Sequence, residues 1–308
     1  MSTHTTSDDV LVPGGTTAIG NDHYYVEERP LREVTVADVW FDRYPVTNAE
    51  FAAFVEQTGH LTVAEIVPDA ADFPGADPAL LVPGSQVFTQ TPGPVRLDDW
   101  TQWWRWQPEA SWRAPQGPGS TWEDIPDHPV VHVGWSDATA YARWVGKDLP
   151  TETEWEYAAR GGLRGRDYAW GDELTPDGEV LANTWRGPFP WRSDDPQGFD
   201  RTSPVGSYPA NGYGLHDMIG NVWEWTRTRW SASHAGAADD VAPTSACCGG
   251  SLRLEETDRM VTKGGSHLCS PDYCQRYRPA ARQGHGVNDT TSHVGFRCVR
   301  RPGAESVR

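Results

Sequence analysis

Two of the five cysteines, Cys269 and Cys274, stand in the polar stretch GGSHLCSPDYCQRYRPAAR (264–282), with Arg276, Arg278 and Arg282 close behind. Thiols at that spacing can converge from a bent loop, and Pro271 between them works against a regular helix. On spacing alone, a disulfide, a metal site, a catalytic pair and plain packing all stay open. Tetrahedral zinc wants four N/S ligands, and no histidine cluster stands beside the pair. Soft thiolates suit Cu(I), which tolerates low coordination number. A second set lies in HDMIGNVWEW (216–225). Asp217 and Glu224 are hard oxygen donors, and Gly220 and Val222 offer backbone carbonyls between them, a set that suits Ca²⁺. A capping Asp and a solvated Glu are the plainer alternative.

The elements that must position these groups are short. Residues 1–9 read as a polar tail. Val10–Gly20 looks like a strand broken by a turn, and Arg32–Asn48 reads as strand from its alternation and β-branched residues. Asn48 is expected to cap a helix in which Phe51, Phe54 and Val55 share one face and Gly59 closes it. Residues 60–127 gather Pro, Gly and Trp with little periodicity, and a connection of that length is usually functional. Ser136 is expected to cap a helix to about Val145. Thr151 and Glu154 form a capping box for another helix through Arg160, stopped by Gly161 and Gly162. From Gly171 onward, short strand-like pieces alternate with turns. The sum is one α+β domain with much irregular backbone, and 16 tryptophans suit a loop-rich fold held by aromatic anchors.

A net charge of −17 argues against a nucleic-acid partner, since phosphate binding needs a surplus of Lys and Arg. No apolar run is long enough to predict a membrane span. The first residues lack the pattern of a secretory signal, so a cytoplasmic location is expected. Thiols there are reactive, metal-bound or buried rather than a disulfide framework. The adjacent Cys247 and Cys248 receive no role. No heptads argue for an oligomer, and a monomer is expected.

Taken together, VPGGTTAIG, PVTNAEFAAFVEQTGH, HPVVHVGWSDATAYARWVGKDLPTETEWEYAARGG, NGYGLHDMIGNVWEWT, GGSHLCSPDYCQRYR and HVGFRC follow one another in an order that resembles the formylglycine-generating enzymes (sulfatase-modifying factors). The resemblance covers roughly residues 10–302, leaving 303–308 as a C-terminal tail. It implies an irregular, loop-rich variant of the C-type-lectin-like fold. It also implies that Cys269 and Cys274 bind a single Cu(I) and that the enzyme uses O2 and a thiol reductant. The substrate is then a cysteine in an unfolded sulfatase chain, within a Cys-x-Pro-x-Arg motif, and the product is Cα-formylglycine. Ser266 and Tyr273 match positions beside the active site, and Trp230 falls where the family carries an aromatic near it.

The same resemblance assigns a structural calcium to Asp217, Gly220, Val222 and Glu224. A second calcium would use Asn183, Thr184, Gln197 and Phe199, with Gln197 where relatives often show Asp. Cys298 lacks its usual partner, because Ala142 and Pro279 replace the cysteines of relatives, and it is expected to sit reduced and buried. Trp103, Trp104 and Trp112 are groove candidates for stacking on the substrate proline, with anchoring of their own loop as the alternative. His293 stands where relatives often carry Asn near bound peptide. A non-catalytic lectin-like binding module is the rival class, and the cysteine pair argues against it. An iron-dependent sulfoxide synthase would need a histidine cluster, usually on an added helical domain, which this chain lacks.

Overall fold

Thr47 begins the first helix because its hydroxyl and the Glu50 carboxylate satisfy each other's backbone N–H groups, at 3.3 and 2.9 Å. In the computed structural model, which describes residues 9–70, 75, 77, 81–236 and 258–302, the strands that precede it are β1 (Asp9–Val12), β2 (Gly15–Ile19), β3 (Arg32–Val36) and β4 (Val39–Asp42). Strand β1 therefore starts inside the stretch expected as tail, with Asp9 opposite Asp42 and its carboxylate 2.6 Å from Lys147. The helix itself is α1 (Asn48–Thr58), ended by Gly59 at φ 68°. Asn48 is not its cap. Its buried amide donates instead to the Ile125 carbonyl, at 2.9 Å. Phe51, Phe54 and Val55 do share the buried face, and Phe51 meets Trp112, Tyr141 and Phe296.

The long Trp-rich segment holds more order than its composition suggests. Strands β5 (Gly84–Phe88) and β6 (Trp104–Pro108) pair antiparallel within it. Helix α2 (Trp135–Trp144) starts after Gly134, whose N–H is taken by the Asp137 carboxylate at 2.8 Å, so Ser136 is not the cap either. Helix α3 (Glu152–Ala159) follows the expected Thr151–Glu154 box. The remaining strands are β7 (Trp223–Arg229), β8 (Arg259–Lys263), β9 (Arg282–Gly286), β10 (Val294–Gly295) and β11 (Val299–Arg300). Their order is β10-β7-β8-β9 in one sheet and β1-β4-β11 in another, so the last strand returns to the sheet of the first and pairs with β4. The result is a single irregular α+β domain. Cys298 is free and buried, as expected, while Cys247 and Cys248 lie outside the described residues.

Charge, unusually, sits inside. Glu152 and Glu156 of α3 are fully buried, with Lys263, Arg282 and His234 around them. Glu152 takes Arg282 through Nε at 2.6 Å and Nη2 at 2.9 Å, and His234 Nε2 lies 3.1 Å away. Glu156 takes Lys263 at 2.9 Å and Arg160 at 2.6 Å. A separate buried pair joins Glu28 to Arg278 at 2.5 and 2.9 Å. Burial alone would raise the α3 carboxyls. At Glu152, His234, Lys263 and Arg282 outweigh it, and at Glu156 Lys263 and Arg160 bring the value to about 2.

Both carboxyls therefore stabilise the fold fully above their unfolded value of 4.5, and that contribution is lost as pH falls through the folded values. Urea unfolding at about pH 3 is expected to show a loss of about 2 kcal/mol per carboxyl relative to about pH 7. Glu152→Gln at neutral pH is expected to cost about 3–5 kcal/mol, because Arg282 is left buried without its counter-charge. A flat pH profile together with a near-neutral variant would show the network to be energetically idle.

Candidate active site

The cysteine loop leaves β8 through Gly264 and Gly265, at φ 92° and 72°. A Cβ on Gly265 would stand 2.8 Å from the Arg276 carbonyl, so the two ends of the loop close only over a glycine. Beyond the turn, the Cys269 N–H donates to the Ser266 carbonyl at 2.9 Å, and the Cys269 carbonyl accepts from Trp185 at 3.0 Å. The N–H groups of Tyr273 and Cys274 both donate to the Ser270 carbonyl. This bend brings the two sulfurs to 3.3 Å. Both thiols are free, and the separation is far beyond the S–S bond of about 2.05 Å.

The sulfurs face a cavity of about 190 Å³. Trp103, Trp104, Phe189 and Trp223 form its aromatic wall, Ser266, Leu268 and Tyr273 come from the loop itself, and Arg276, Gln283 and His293 complete the lining. Tyr273 is 40% exposed and stacks on Phe189 at 4.8 Å, with Trp103 edge-on to both. Trp104 packs on the His293 ring at 4.7 Å. Burial, with other histidines nearby, holds His293 neutral, and its Nδ1 is buried without a partner. Ser266 is buried, its hydroxyl accepting the Leu268 N–H at 3.2 Å.

Several expected residues thus come together: Cys269, Cys274, Ser266, Tyr273, Trp103, Trp104 and His293. Two tryptophans do not join them. Trp112 lies in the main core against Phe51 and Trp122, with Arg113 over its ring. Trp230 packs on Arg282 at 4.6 Å and against Gly284, beside the ion network. The aromatic that lines the cavity from the long sheet is Trp223, which sequence reasoning passed over. Strand alternation held the clue, since Trp223 and Glu224 of β7 must point to opposite faces. The same alternation on β9 sends Arg282 into the network and Gln283 into the cavity.

The calcium residues are placed differently from expectation. Both oxygens of buried Glu224 are engaged, by Arg297 at 2.7 Å through two nitrogens and by the Trp155 indole at 2.7 Å. Asp217 accepts the Gly206 N–H at 2.7 Å, and burial pushes its carboxyl up to about 6. Val222 is buried, and Gly220 abuts the Asn183 carbonyl. The Asn183 amide donates to the Arg201 carbonyl and the Ser203 hydroxyl, which draws the loop carrying Gln197 and Phe199 toward buried Thr184. Gln197 is exposed, and the Phe199 N–H goes to Asp195. Among the described residues, no three His, Cys, Asp or Glu side chains converge on a point. With Glu224 committed to Arg297, the first set does not fit calcium as it stands.

The thiols are unequal. The hydrogen bond between the two sulfurs, with help from the Arg276 charge, overcomes burial and holds Cys274 down to about 6. Burial first, and its neighbour second, push Cys269 well up. In metal-free protein, iodoacetamide is expected to alkylate Cys274 before Cys269, with a rate that rises through about pH 6 and levels above it. Equal labelling of both thiols, rising only above about pH 8, would contradict this asymmetry.

A profile of the sulfatase-modifying factor enzyme 1-like domain matches residues 1–302. The formylglycine-generating enzyme of Mycobacterium tuberculosis is 52% identical over 95% of this chain and 97% of its own length. That of Thermomonospora curvata is 43% identical over 95% and 93%. Among solved structures, PvdO from Pseudomonas aeruginosa superimposes with a TM-score of 0.61 at 25% identity, covering 95% of this chain and 94% of PvdO. The profile and the two enzymes span nearly the whole length, cysteine loop included, and the chain belongs to the formylglycine-generating enzyme (sulfatase-modifying factor) family.

Proposed function

We propose that this protein oxidises a cysteine of a sulfatase polypeptide to Cα-formylglycine, using O2 and a thiol reductant at a Cu(I) held by Cys269 and Cys274. The observation that carries the proposal is the pair of free sulfurs 3.3 Å apart at an aromatic cavity, in a chain so similar to enzymes of that name. The donor set suits the metal. Two soft sulfurs with no third His, Cys, Asp or Glu close by, among the described residues, favour a soft monovalent ion over zinc. When bound, Cu(I) supplies a docking point for the substrate thiolate and a path for electrons to oxygen.

The protein's own groups do the rest. The cavity walls exclude water and hold the cysteine side chain near the sulfurs. Ser266 and Tyr273 supply hydroxyls for hydrogen bonds to the reacting sulfur or oxygen. Trp104 offers its face to the residues that flank the cysteine, and neutral His293 offers a ring nitrogen to their backbone. In the balance, the substrate's C–S bond is replaced by C=O and sulfur leaves as hydrogen sulfide. The second oxygen atom leaves as water, and two reductant thiols become a disulfide. The Asp217 set does not fit a structural calcium as it stands, since Glu224 would have to release Arg297 to bind it. We take the fold as a variant of the C-type-lectin-like arrangement, supported by its short helices around an irregular sheet. We place the enzyme in the cytoplasm, acting as a monomer on unfolded chains with the Cys-x-Pro-x-Arg motif.

The test is mass spectrometry of a Cys-Thr-Pro-Ser-Arg peptide incubated with Cu(I)-loaded protein, a thiol reductant and air. The expected product has lost one sulfur and two hydrogens and gained one oxygen. Cys269→Ser and Cys274→Ser are each expected to abolish the product and Cu(I) binding while leaving the melting temperature near that of the parent. An unchanged peptide with copper bound, or full turnover by either variant, would overturn the proposal.

A further inference from the structure

The two sulfurs are held in unlike ways. Cys269 is 2% exposed, and its backbone is tied to Ser266 and Trp185. Cys274 is only half-buried, on a turn whose neighbours Pro271, Asp272, Tyr273 and Gln275 are exposed. What fixes Cys274 from the far side is Arg276. Its Nη1 lies 3.9 Å from the Cys274 sulfur, and its Nη2 lies 2.6 Å from the Glu27 carboxylate. Its guanidinium carbon stands 3.9 Å from the centre of the Tyr25 ring. The Tyr25 hydroxyl, in turn, accepts the Gln275 N–H at 3.0 Å. One tyrosine thus covers the guanidinium and holds the backbone between Cys274 and Arg276.

We infer that Glu27, Tyr25 and Arg276 form a clamp that sets the Cys274 sulfur against Cys269, making Arg276 a positioning residue for the two-sulfur site. The inference rests on reading the pair as a soft-metal site. A planar fork can hold a carboxylate on one nitrogen and a sulfur on the other, and the stacked ring fixes its plane. The Arg276 and Glu27 side chains are 23% and 15% exposed, so solvent screens the pair little. Glu27 neutralises the arginine overall, yet the positive end of the pair is the end that faces sulfur. Partners of this kind orient metal ligands, and their loss commonly weakens metal binding by about 10–100-fold.

Two measurements test the clamp. Phenylarsine oxide bridges two thiols only where they converge, and it reports on the metal-free protein. Competition with bicinchoninate reports Cu(I) affinity. Arg276→Gln and Glu27→Gln are each expected to slow arsenical bridging and to weaken Cu(I) binding by about tenfold or more. Arg276→Lys is expected to recover only part of both, since an ammonium cannot span the two partners. Parent-like bridging and Cu(I) affinity in Arg276→Gln and Glu27→Gln would overturn the inference. So would a lowered melting temperature with unchanged bridging, which marks a purely structural ion pair. If the parent bridges the arsenical but fails to hold Cu(I) against bicinchoninate, the copper reading fails, and the arsenical rates still decide the clamp.

Discussion

The buried pairing of Arg282 with Glu152, and of Arg278 with Glu28, is the constraint on which the thiol site depends. Guanidinium groups placed where water cannot reach must have a counter-charge in one position, and hydrophobic packing tolerates more slack. The loop that carries both sulfurs is bounded by these arginines. Its downstream end is thereby located relative to α3 and to the segment around Glu28, while the Gly264–Gly265 turn locates its upstream end. Replacing both partners of such a pair with apolar residues can leave stability unchanged, whereas removing one leaves a buried charge without its partner.

Aromatic packing then shapes the space in front of the sulfurs. Trp103, Phe189 and Tyr273 meet in edge and face contacts that also involve Phe88 and Trp185. The strands β5 and β6 bring part of this wall, which explains why a segment of such irregular composition must nevertheless be ordered. His293 comes from the turn before β10, so the cavity draws on five separate stretches of the chain, around Trp103, Phe189, Trp223, the cysteine loop with β9, and His293. Each wall residue is rigid and large, a combination that keeps a small space open without mobile side chains.

Local signals in the sequence carry over into the structure. The Thr151–Glu154 box, the Gly59 stop and the Phe51–Phe54–Val55 face depend on neighbours within a few residues, and each stands in the structure. The thiol pair with Ser266 and Tyr273 was also legible, because one short loop carries all four. What escaped depends on the third dimension. Asn48 and Ser136 are competent caps, but Thr47 and Asp137 reach the free N–H groups first. Trp112 and Trp230 have the right chemistry for a groove, and only the packing of other elements sends one into the core and the other onto Arg282. Glu27 and Glu28 gave no sign of their partners some 250 positions away. Glu224 looked like an open oxygen ligand because Arg297, its partner, lies on another strand connection.

Those distances bear on how the molecule is made. The acids at 27 and 28 leave the ribosome about 250 residues before the arginines they neutralise, and β11, which pairs with β4, follows later still. Until Arg276 and Arg278 have been made and have folded back onto those acids, the local bend of the loop lacks its downstream anchors. The anchored geometry of the thiol loop therefore waits on contacts between distant parts of the chain, whose closure cost must be met first.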